Sequence, residues 1–298
     1  MILLLASLTS VANTKSDTAI IKKHLTILTK TFGFRDYADL ESLNRSSNYI
    51  FNQFSQFADT TYYQTYIVDG KVYKNVICSF GIKNSKRIVL GAHYDVCGKQ
   101  AGADDNASGV VGLLELSRLL KNQKLKYRID LVAYTLEEPP YFRSKYMGSY
   151  VHARYLTENK VDIYGMISLE MIGYFSDEKR SQSYPINLLK VFYGGRGNYI
   201  TLVRKLNAGR FAKVFSRQFK KTKIIRTKKF VAPSALPGID FSDHLNYWKF
   251  GVSALMITDT SFYRNRHYHQ QTDVMETLDL SRMAFVIDGI FEAMIQLN

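Results

Sequence analysis

Two pairs of potential metal ligands lie eleven residues apart in the sequence. His93 and Asp95 follow the apolar run 88–90, which predicts a short buried strand. Asp104 and Asp105 come next, within the string Gly-Ala-Asp-Asp-Asn-Ala-Ser-Gly. A histidine at a strand end is most often structural, but this string after it favours a metal site. Imidazole and carboxylate groups at a strand end and at the start of the next helix are typical zinc ligands.

The segment after the two aspartates predicts a helix, since apolar residues recur at helical spacing through 110–120. Asn106 or Ser108 would be its N-cap, because either side chain can accept a hydrogen bond from the first turn. We therefore expect Asp104 at a strand–helix connection, with its carboxylate in the cleft.

Further acidic side chains follow two later segments that predict strands. Glu137 and Glu138 come after the β-branched and aromatic run 127–135, and two prolines follow them. Glu170 ends the apolar run 163–169. A Glu-Glu pair after a strand is usually a solvated turn, but here the prolines stiffen the loop beside a metal motif.

Two histidines near the C-terminus compete for a place in the same site. His267 and His269 are two residues apart, so on extended backbone their rings face opposite ways. His267 follows two arginines and is expected to face solvent. We favour His269 as the ligand, with Asp273 as a carboxylate that could orient it.

These observations give five candidate ligands: His93, Asp104, Glu138, Glu170 and His269. Five are too many for one tetrahedral zinc with an open position, and they suit two zinc ions bridged by one carboxylate. Three carboxylates against four positive charges leave one positive charge, which a bridging hydroxide neutralises. Two such ions about 3.5–4 Å apart lower the pKa of a water molecule and hold a tetrahedral intermediate. Of Glu137 and Glu138, one can bind metal while the other transfers the water's proton to the leaving amine.

The elements that must position these residues alternate between strands and helices. Helical stripes cover 15–31 and 44–58, and Asp69-Gly70 predicts a hairpin between strands 62–68 and 72–80. Later strands are predicted at 127–135, 163–169, 188–193, 223–230 and 252–257, and later helices at 147–158, 198–215, 243–250 and 281–296.

This alternation predicts a three-layer α/β/α sandwich with a mixed, mostly parallel sheet of about eight strands. The early hairpin would form an antiparallel edge of that sheet. Such sheets bind ligands beyond the carboxyl ends of their strands, and the candidate ligands follow predicted strands. The sequence shows no internal repeat and no linker, so we expect one catalytic domain over 15–298.

Composition excludes some classes of protein. The chain has 298 residues, of which 46% are hydrophobic and 22% charged, as in a globular protein. No apolar stretch approaches the roughly 18 residues of a transmembrane span. The formal net charge is +14, but the basic residues do not form one stripe. The densest cluster, 217–229, alternates with apolar residues as an exposed strand edge would, so nucleic-acid binding is not expected.

The N-terminus and the cysteines bear on the compartment. An apolar run at 2–8 and the small residues Ser10 and Ala12 favour a cleaved signal over 1–14, although no basic residue precedes the run. A periplasmic or secreted protein is then expected, with a cytoplasmic one as the alternative. Cys78 and Cys97 fit either a disulfide or two free thiols.

Several motifs together resemble metallopeptidase family 28, which contains two-zinc aminopeptidases and glutaminyl cyclases. In order, they are His-Tyr-Asp at 93–95, Gly-Ala-Asp-Asp-Asn-Ala-Ser-Gly at 102–109, Glu-Glu-Pro-Pro at 137–140, Ser-Leu-Glu-Met-Ile-Gly-Tyr at 168–174, Phe-Ser-Asp-His at 241–244 and Tyr-His-x-x-x-Asp at 268–273. The resemblance covers about 76–292 and is weaker in the first hundred residues and in the segments that would line a pocket.

The resemblance implies a role for each residue. His93, Asp104 and Glu170 would hold one zinc ion. Asp104, Glu138 and His269 would hold the other. Glu137 would be the general base and acid, and Asp95 would orient His93. A cis peptide bond is implied after the bridging aspartate, here Asp104–Asp105. Glu170 stands where the best-known aminopeptidases have aspartate, which changes only the reach of the ligand.

The expected activity is removal of N-terminal residues from a peptide substrate. The alternative is a glutaminyl cyclase, which uses a single zinc for intramolecular aminolysis. A non-catalytic interaction module is a third possibility, but such relatives lose metal ligands and none is missing here. Four aromatic residues near the site in sequence could line an apolar pocket or belong to the core: Phe241, Trp248, Phe262 and Tyr263.

Overall fold

The computed structural model describes residues 15–186 and 188–297, so the predicted signal segment 1–14 lies outside the described residues. Within those ranges eight strands form one sheet. They are β1 Thr60–Val68, β2 Lys71–Phe80, β3 Arg87–His93, β4 Arg128–Tyr134, β5 Ile163–Glu170, β6 Ile200–Lys205, β7 Thr227–Ala232 and β8 Ala254–Thr258. The α-helices are α1 Thr18–Thr26, α2 Leu40–Phe54, α3 Gly109–Leu120, α4 Gly148–Glu158, α5 Leu189–Tyr193, α6 Gly209–Thr222, α7 His244–Lys249 and α8 Leu280–Ile295.

The strand order is β1-β2-β4-β3-β5-β8-β6-β7. Four pairs are parallel, namely β3 with β4, β3 with β5, β5 with β8 and β6 with β7. The other three pairs are antiparallel. The four central strands β4, β3, β5 and β8 therefore all end at the same edge of the sheet. The predicted mixed, mostly parallel α/β fold is confirmed.

Apolar side chains cover both faces of the central strands. In β3, Ile88 and Leu90 belong to the core beneath α1, α2, α3, α6 and α8, whereas Val89 faces the core beneath α4 and α7. Successive residues of a strand point to opposite faces, so a strand buried on both sides must be a continuous apolar run. This is why 88–90 carries no polar residue.

The antiparallel edge agrees with its sequence signature. Asp69 and Gly70 connect β1 to β2, and both have positive φ, at +49° and +74°. A two-residue turn with positive φ at both positions matches the twist of the flanking strands. The predicted hairpin is confirmed.

Two of the predicted elements are wrong. Residues 188–193 were expected to form a strand, but α5 is a short helix with Val191 and Phe192 exposed. Residues 198–215 were expected to form one long helix, but they contain β6 and then the start of α6. The short apolar runs within these two segments fit either periodicity, so the pattern alone could not separate a strand from a helix.

Membrane-spanning helices were not expected from the sequence. Among the described residues, no helix combines the length and the apolar character needed to cross a bilayer.

A buried arginine fixes the connection that follows β3. Arg35, 1% exposed, donates hydrogen bonds to the carbonyl oxygens of Leu28, Tyr94, Ala101 and Gly102 at 2.7–2.9 Å. The backbone N–H of Val96 donates in return to the Arg35 carbonyl at 3.1 Å. A planar guanidinium has five donors in a fixed geometry, so one side chain can bind the carbonyl groups of several chain segments at once.

Replacement of Arg35 tests this anchor. Arg35→Lys should lower the free energy of unfolding by at least about 2 kcal/mol, because buried carbonyls that lose a donor cost about 1–3 kcal/mol each. Urea denaturation would measure the change. The matched control is Arg45→Lys, whose exposed side chain pairs with Glu41 and should shift stability by less than about 0.5 kcal/mol. Equal effects of the two replacements would contradict the anchoring role.

Candidate metal centre

The candidate ligands converge at the carboxyl ends of the four central parallel strands. His93 is the last residue of β3 and Glu170 the last residue of β5. Glu137 and Glu138 follow β4, and His269 lies in the loop after β8. All but His269 are at least nine-tenths buried. This is the edge at which α/β sheets bind ligands.

The two histidine rings share one carboxylate. His93 Nε2 lies 3.4 Å from Asp105 Oδ1, 3.6 Å from Glu170 Oε2 and 3.8 Å from Glu137 Oε2. His269 Nε2 lies 3.2 Å from Asp105 Oδ2 and 3.2 Å from Glu138 Oε2. The carboxylate that lies between the two histidine rings is therefore that of Asp105.

The structure corrects the prediction that Asp104 bridges two ions. The Asp104 carboxylate accepts hydrogen bonds from the Gly173 N–H at 3.0 Å and from the Asn265 amide at 2.7 Å. Burial and the neighbouring charge of Asp259 raise the pKa of Asp104 well above its usual range. Asp104 is thus a structural group beside the centre. Asp105 occupies the bridging position that was predicted for Asp104.

The physical reason lies in the backbone around the pair. Asp105 has φ −103° and ψ 90°, close to extended, and adjacent side chains on extended backbone point to opposite sides. Before the pair, Gly102 has φ +56°, and a Cβ there would meet Val96 at 2.3 Å. The non-proline cis peptide predicted at Asp104–Asp105 occurs one bond later, at Asp105–Asn106.

Two outer carboxylates, those of Asp95 and Asp273, accept hydrogen bonds from the backbone of the residues that form the cluster. The Asp95 carboxylate accepts from the N–H groups of Glu137 and Glu138 at 3.3 and 3.1 Å. Its backbone carbonyl lies 3.1 Å from His93 Nδ1, and its carboxylate lies 3.6 Å from the same nitrogen. Asp95 therefore touches His93 as expected and also aligns both glutamates.

Asp273 acts on different partners from those predicted. Its carboxylate accepts from the N–H groups of Asp104 and Asp105 at 2.9 and 3.0 Å. It was expected to orient the His269 ring, but its hydrogen bonds fix the backbone of the two aspartates. Burial raises the pKa of Asp273 to about 7.

The remaining candidates lie as follows. Glu170 Oε2 accepts a hydrogen bond from the Ser242 hydroxyl at 2.7 Å, and that hydroxyl also contacts Ser168. His267 lies apart from the cluster, with Nδ1 2.9 Å from the Thr272 hydroxyl. The structure thus brings His269, and not His267, to the other ligands.

Cys97 is a member of the cluster that sequence reasoning missed, because it was considered only for a disulfide. Both cysteines are free thiols. Within the described ranges, three groups of side chains place their ligand atoms within 4.8 Å of one another: His93 with Asp105 and Glu170, His93 with Glu137 and Glu138, and Cys97 with Glu138 and His269. No spacing rule connects a cysteine at 97 with a histidine at 269.

The protonation behaviour of the site reflects crowded, buried negative charge. Burial raises the pKa of Glu137 well above its usual range, and the charges of Glu170 and Glu138 add to this against the opposing effect of His93. Burial raises the pKa of Glu138 to about 8. For His93, burial alone would lower the pKa, but Glu137 and Glu170 raise it well above its ordinary value. The site therefore favours bound positive charge.

Buried polar atoms without a hydrogen-bond partner indicate which kind of positive charge the site could bind. The buried side-chain atoms that lack a hydrogen-bond partner among the described residues include four of this cluster: His93 Nε2, Asp105 Oδ2, Glu138 Oε1 and His269 Nε2. Buried polar atoms normally have a partner, so four around one point require an explanation. Nitrogen and carboxylate oxygen are ligands of divalent metal ions, zinc among them, and the residues present fit such a group.

A cavity of about 350 Å³ opens from this cluster. Asp105, Glu137, Glu138, Glu170 and His269 line one end, and the remainder is largely apolar and aromatic. Of the four aromatic residues considered from the sequence, Phe241, Phe262 and Tyr263 line the cavity. Trp248 is in the core and donates to the Ala254 carbonyl. A volume of this size is typical of a small-molecule or side-chain pocket.

Comparison with known proteins agrees with this geometry. The protein YfbL of Escherichia coli (strain K12) is 40% identical over 278 residues, which cover 91% of this chain and 85% of that protein. The LapA aminopeptidase of Legionella pneumophila superposes with a TM-score of 0.73 at 19% identity, covering 95% of this chain and 72% of that chain. A glutaminyl cyclase of Porphyromonas gingivalis gives a TM-score of 0.71 at 19% identity, covering 95% and 99%. At such identities the two structures establish the fold alone.

The family itself is established by a match along most of the chain. The model of peptidase family M28 matches residues 75–294, a range that contains every candidate ligand. Fold, site and sequence agree, and the chain belongs to peptidase family M28.

Proposed function

We propose that this peptidase is a zinc-dependent aminopeptidase that uses two metal ions. The observation that carries the proposal is the pair of unpartnered nitrogens, His93 Nε2 and His269 Nε2, on opposite oxygens of Asp105. Each nitrogen has its own further carboxylate, Glu170 for one and Glu138 for the other. One ion would leave one half of this arrangement without positive charge.

When bound, zinc would supply Lewis acidity and lower the pKa of a water molecule. His93, Asp105 and Glu170 would hold one ion, and Asp105, Glu138 and His269 the other. The Asp95 carboxylate would keep the two glutamates in register through their N–H groups.

Glu137 is the proposed general base. Its carboxylate lies beside His93 and lines the cavity, while its neighbour Glu138 faces His269. Burial raises the pKa of Glu137, which suits a group that must accept a proton and then release it. Glu137 would take the proton of the attacking water as the carbon–oxygen bond forms. It would then give that proton to the amine that leaves when the peptide bond breaks.

The cavity supports a substrate with a bulky apolar N-terminal residue. Beyond the carboxylates its walls include Phe230, Val203 and Met256 from three neighbouring strands. The tyrosines 184, 193 and 199 line it as well. The LapA structure bears the description aminopeptidase, and the YwaD protein of Bacillus subtilis, 31% identical over 119 residues, is also named an aminopeptidase.

A glutaminyl cyclase with a single zinc is the second candidate. The similarity to the Porphyromonas gingivalis glutaminyl cyclase, over nearly the whole of both chains, favours it. Activity on peptides separates the two functions, because only the cyclase closes an N-terminal glutamine on itself.

The ligand assignment predicts unequal effects at the two aspartates. Asp105→Ala should reduce bound zinc from two equivalents per chain to one or none, because both ions lose their shared carboxylate. Elemental analysis of the purified, zinc-loaded protein would measure this. Asp104→Asn is the matched control and should retain two equivalents, since its carboxylate already binds Gly173 and Asn265. Zinc loss in the control alone would restore Asp104 as the ligand.

The general-base assignment makes a separate prediction. Glu137→Gln should retain the wild-type zinc content and lower kcat by at least about 100-fold, within the range for a lost acid–base group. Steady-state kinetics and metal analysis of the same preparation would test it. A variant that loses zinc would mean that the two glutamates are assigned the wrong way round.

The substrate assignment is tested with aminoacyl chromogenic substrates. We expect kcat/KM for leucyl and phenylalanyl p-nitroanilides to exceed that for the glycyl compound by about tenfold or more, because each buried methylene contributes about 1–3 kcal/mol. A glutamine-initiated peptide, assayed in parallel, should not cyclise. Cyclisation without release of free N-terminal residues would establish the cyclase instead.

A further inference from the structure

The thiol of Cys97 stands at the metal centre without an assigned role. Its sulfur, a carboxylate oxygen of Glu138 and a ring nitrogen of His269 all lie within 4.8 Å of one another. Cys97 is partly exposed, whereas Glu138 is 4% exposed. A thiol, an imidazole and a carboxylate are all side-chain groups that bind zinc in proteins.

A second observation points to a ligand at this place. Glu138 Oε1 is buried and has no hydrogen-bond partner in the described part of the chain. The other oxygen of Glu138 lies 3.2 Å from His269 Nε2, which also lacks a hydrogen bond among the described residues. An unpartnered oxygen and an unpartnered nitrogen therefore accompany the sulfur.

The loop around Cys97 is fixed on both sides. The Val96 N–H donates to the Arg35 carbonyl at 3.1 Å, and the Gly98 N–H donates to the Asp36 carboxylate at 3.0 Å. Hydrogen bonds on the two neighbouring residues hold the backbone of Cys97 in place. A ligand held by anchored main chain loses little entropy when an ion binds.

We propose that Cys97 is a ligand of the metal ion held by Glu138 and His269. Binding replaces the S–H bond with a sulfur–metal bond, and the proton passes to solvent. The proposal rests on the metal dependence proposed above and adds a thiolate to one of its two sites. The sites then differ in chemistry, because the group of His93, Asp105 and Glu170 offers only nitrogen and oxygen. A thiolate favours zinc, cobalt and cadmium over magnesium or manganese.

Cobalt substitution tests the ligand directly. The full-length protein, freed of metal and titrated with Co²⁺, should show thiolate-to-cobalt charge-transfer absorption in the near ultraviolet. Cys97→Ser should lose this band and keep the visible cobalt bands that report metal bound by the remaining ligands. Cys78, fully buried in β2, stays in both proteins as an internal control for thiols outside the site. Circular dichroism of the variant verifies its fold.

Metal competition provides a second readout that does not depend on activity. Cys97→Ser should weaken Cd²⁺ binding by about tenfold or more while Mn²⁺ binding changes little, given that loss of one group around a metal costs about 10–100-fold in affinity. A charge-transfer band unchanged in Cys97→Ser, at full metal content, would overturn the thiolate proposal and leave the proposed function intact. Wild-type protein that binds neither Co²⁺ nor Zn²⁺ would overturn both.

Discussion

Repulsion among buried carboxylates is the constraint on which the arrangement of this molecule depends. Asp105, Glu137, Glu138 and Glu170 share one water-poor space, and like charges at such distances raise each other's cost of ionisation. Left alone they would separate or bind protons. The protein holds them together with rigid main chain, since each lies at the carboxyl end of a central strand or on a loop tied to one. The fold therefore holds a cluster of negative charge that a divalent cation would neutralise.

Outer acidic residues contribute to that rigidity by binding main chain as well as by contact with a histidine ring. A carboxylate near a metal-binding histidine is generally expected to orient the ring. Here Asp95 and Asp273 each accept two backbone N–H groups, from Glu137 and Glu138 in one case and from Asp104 and Asp105 in the other. Each therefore aligns two consecutive residues at once. Placement through the main chain leaves the side chains of Glu138 and Asp105 free to adjust to an ion.

Much of the fold was predictable because its central strands are short apolar runs with β-branched residues. Runs such as 88–90 are apolar on both faces and short, and Asp69-Gly70 specifies a hairpin. The predictions failed at 188–193 and 198–215, at the side of the sheet that carries β6 and β7. There α5 exposes Val191 and Phe192 to solvent, so its apolar residues do not mark the buried face of a strand or of a helix. Pattern reasoning assumes that apolar residues are buried, and at 188–193 they are not. At 198–215 most of the apolar residues are buried, but their spacing did not separate a strand from a helix.

The site was predictable to the level of residue type and strand end, but not of side-chain direction. Two adjacent aspartates offer the same chemistry, and only the dihedral angles at Asp105 and the acceptance of both N–H groups by Asp273 decide which one enters the cluster. Cys97 and Arg35 were missed for a related reason. Their partners are distant in sequence or are backbone carbonyls, which leave no trace in residue type.

Arg35 also shows that a residue before the family match supports the candidate site. The family match starts at residue 75, yet this guanidinium holds the carbonyls of Tyr94 and Gly102, which flank the connection from His93 to Asp105. Burial lowers the pKa of Arg35 to about 10, while Asp273, Asp95 and Asp105 oppose that shift. A cation is thus fixed against the connection that leads to the carboxylate cluster. It offsets part of the acidic charge whether or not a metal is bound, so the loop that presents Asp105 and Cys97 is shaped by the protein itself. Arg35, which lies before the family match, therefore helps to support the candidate metal centre.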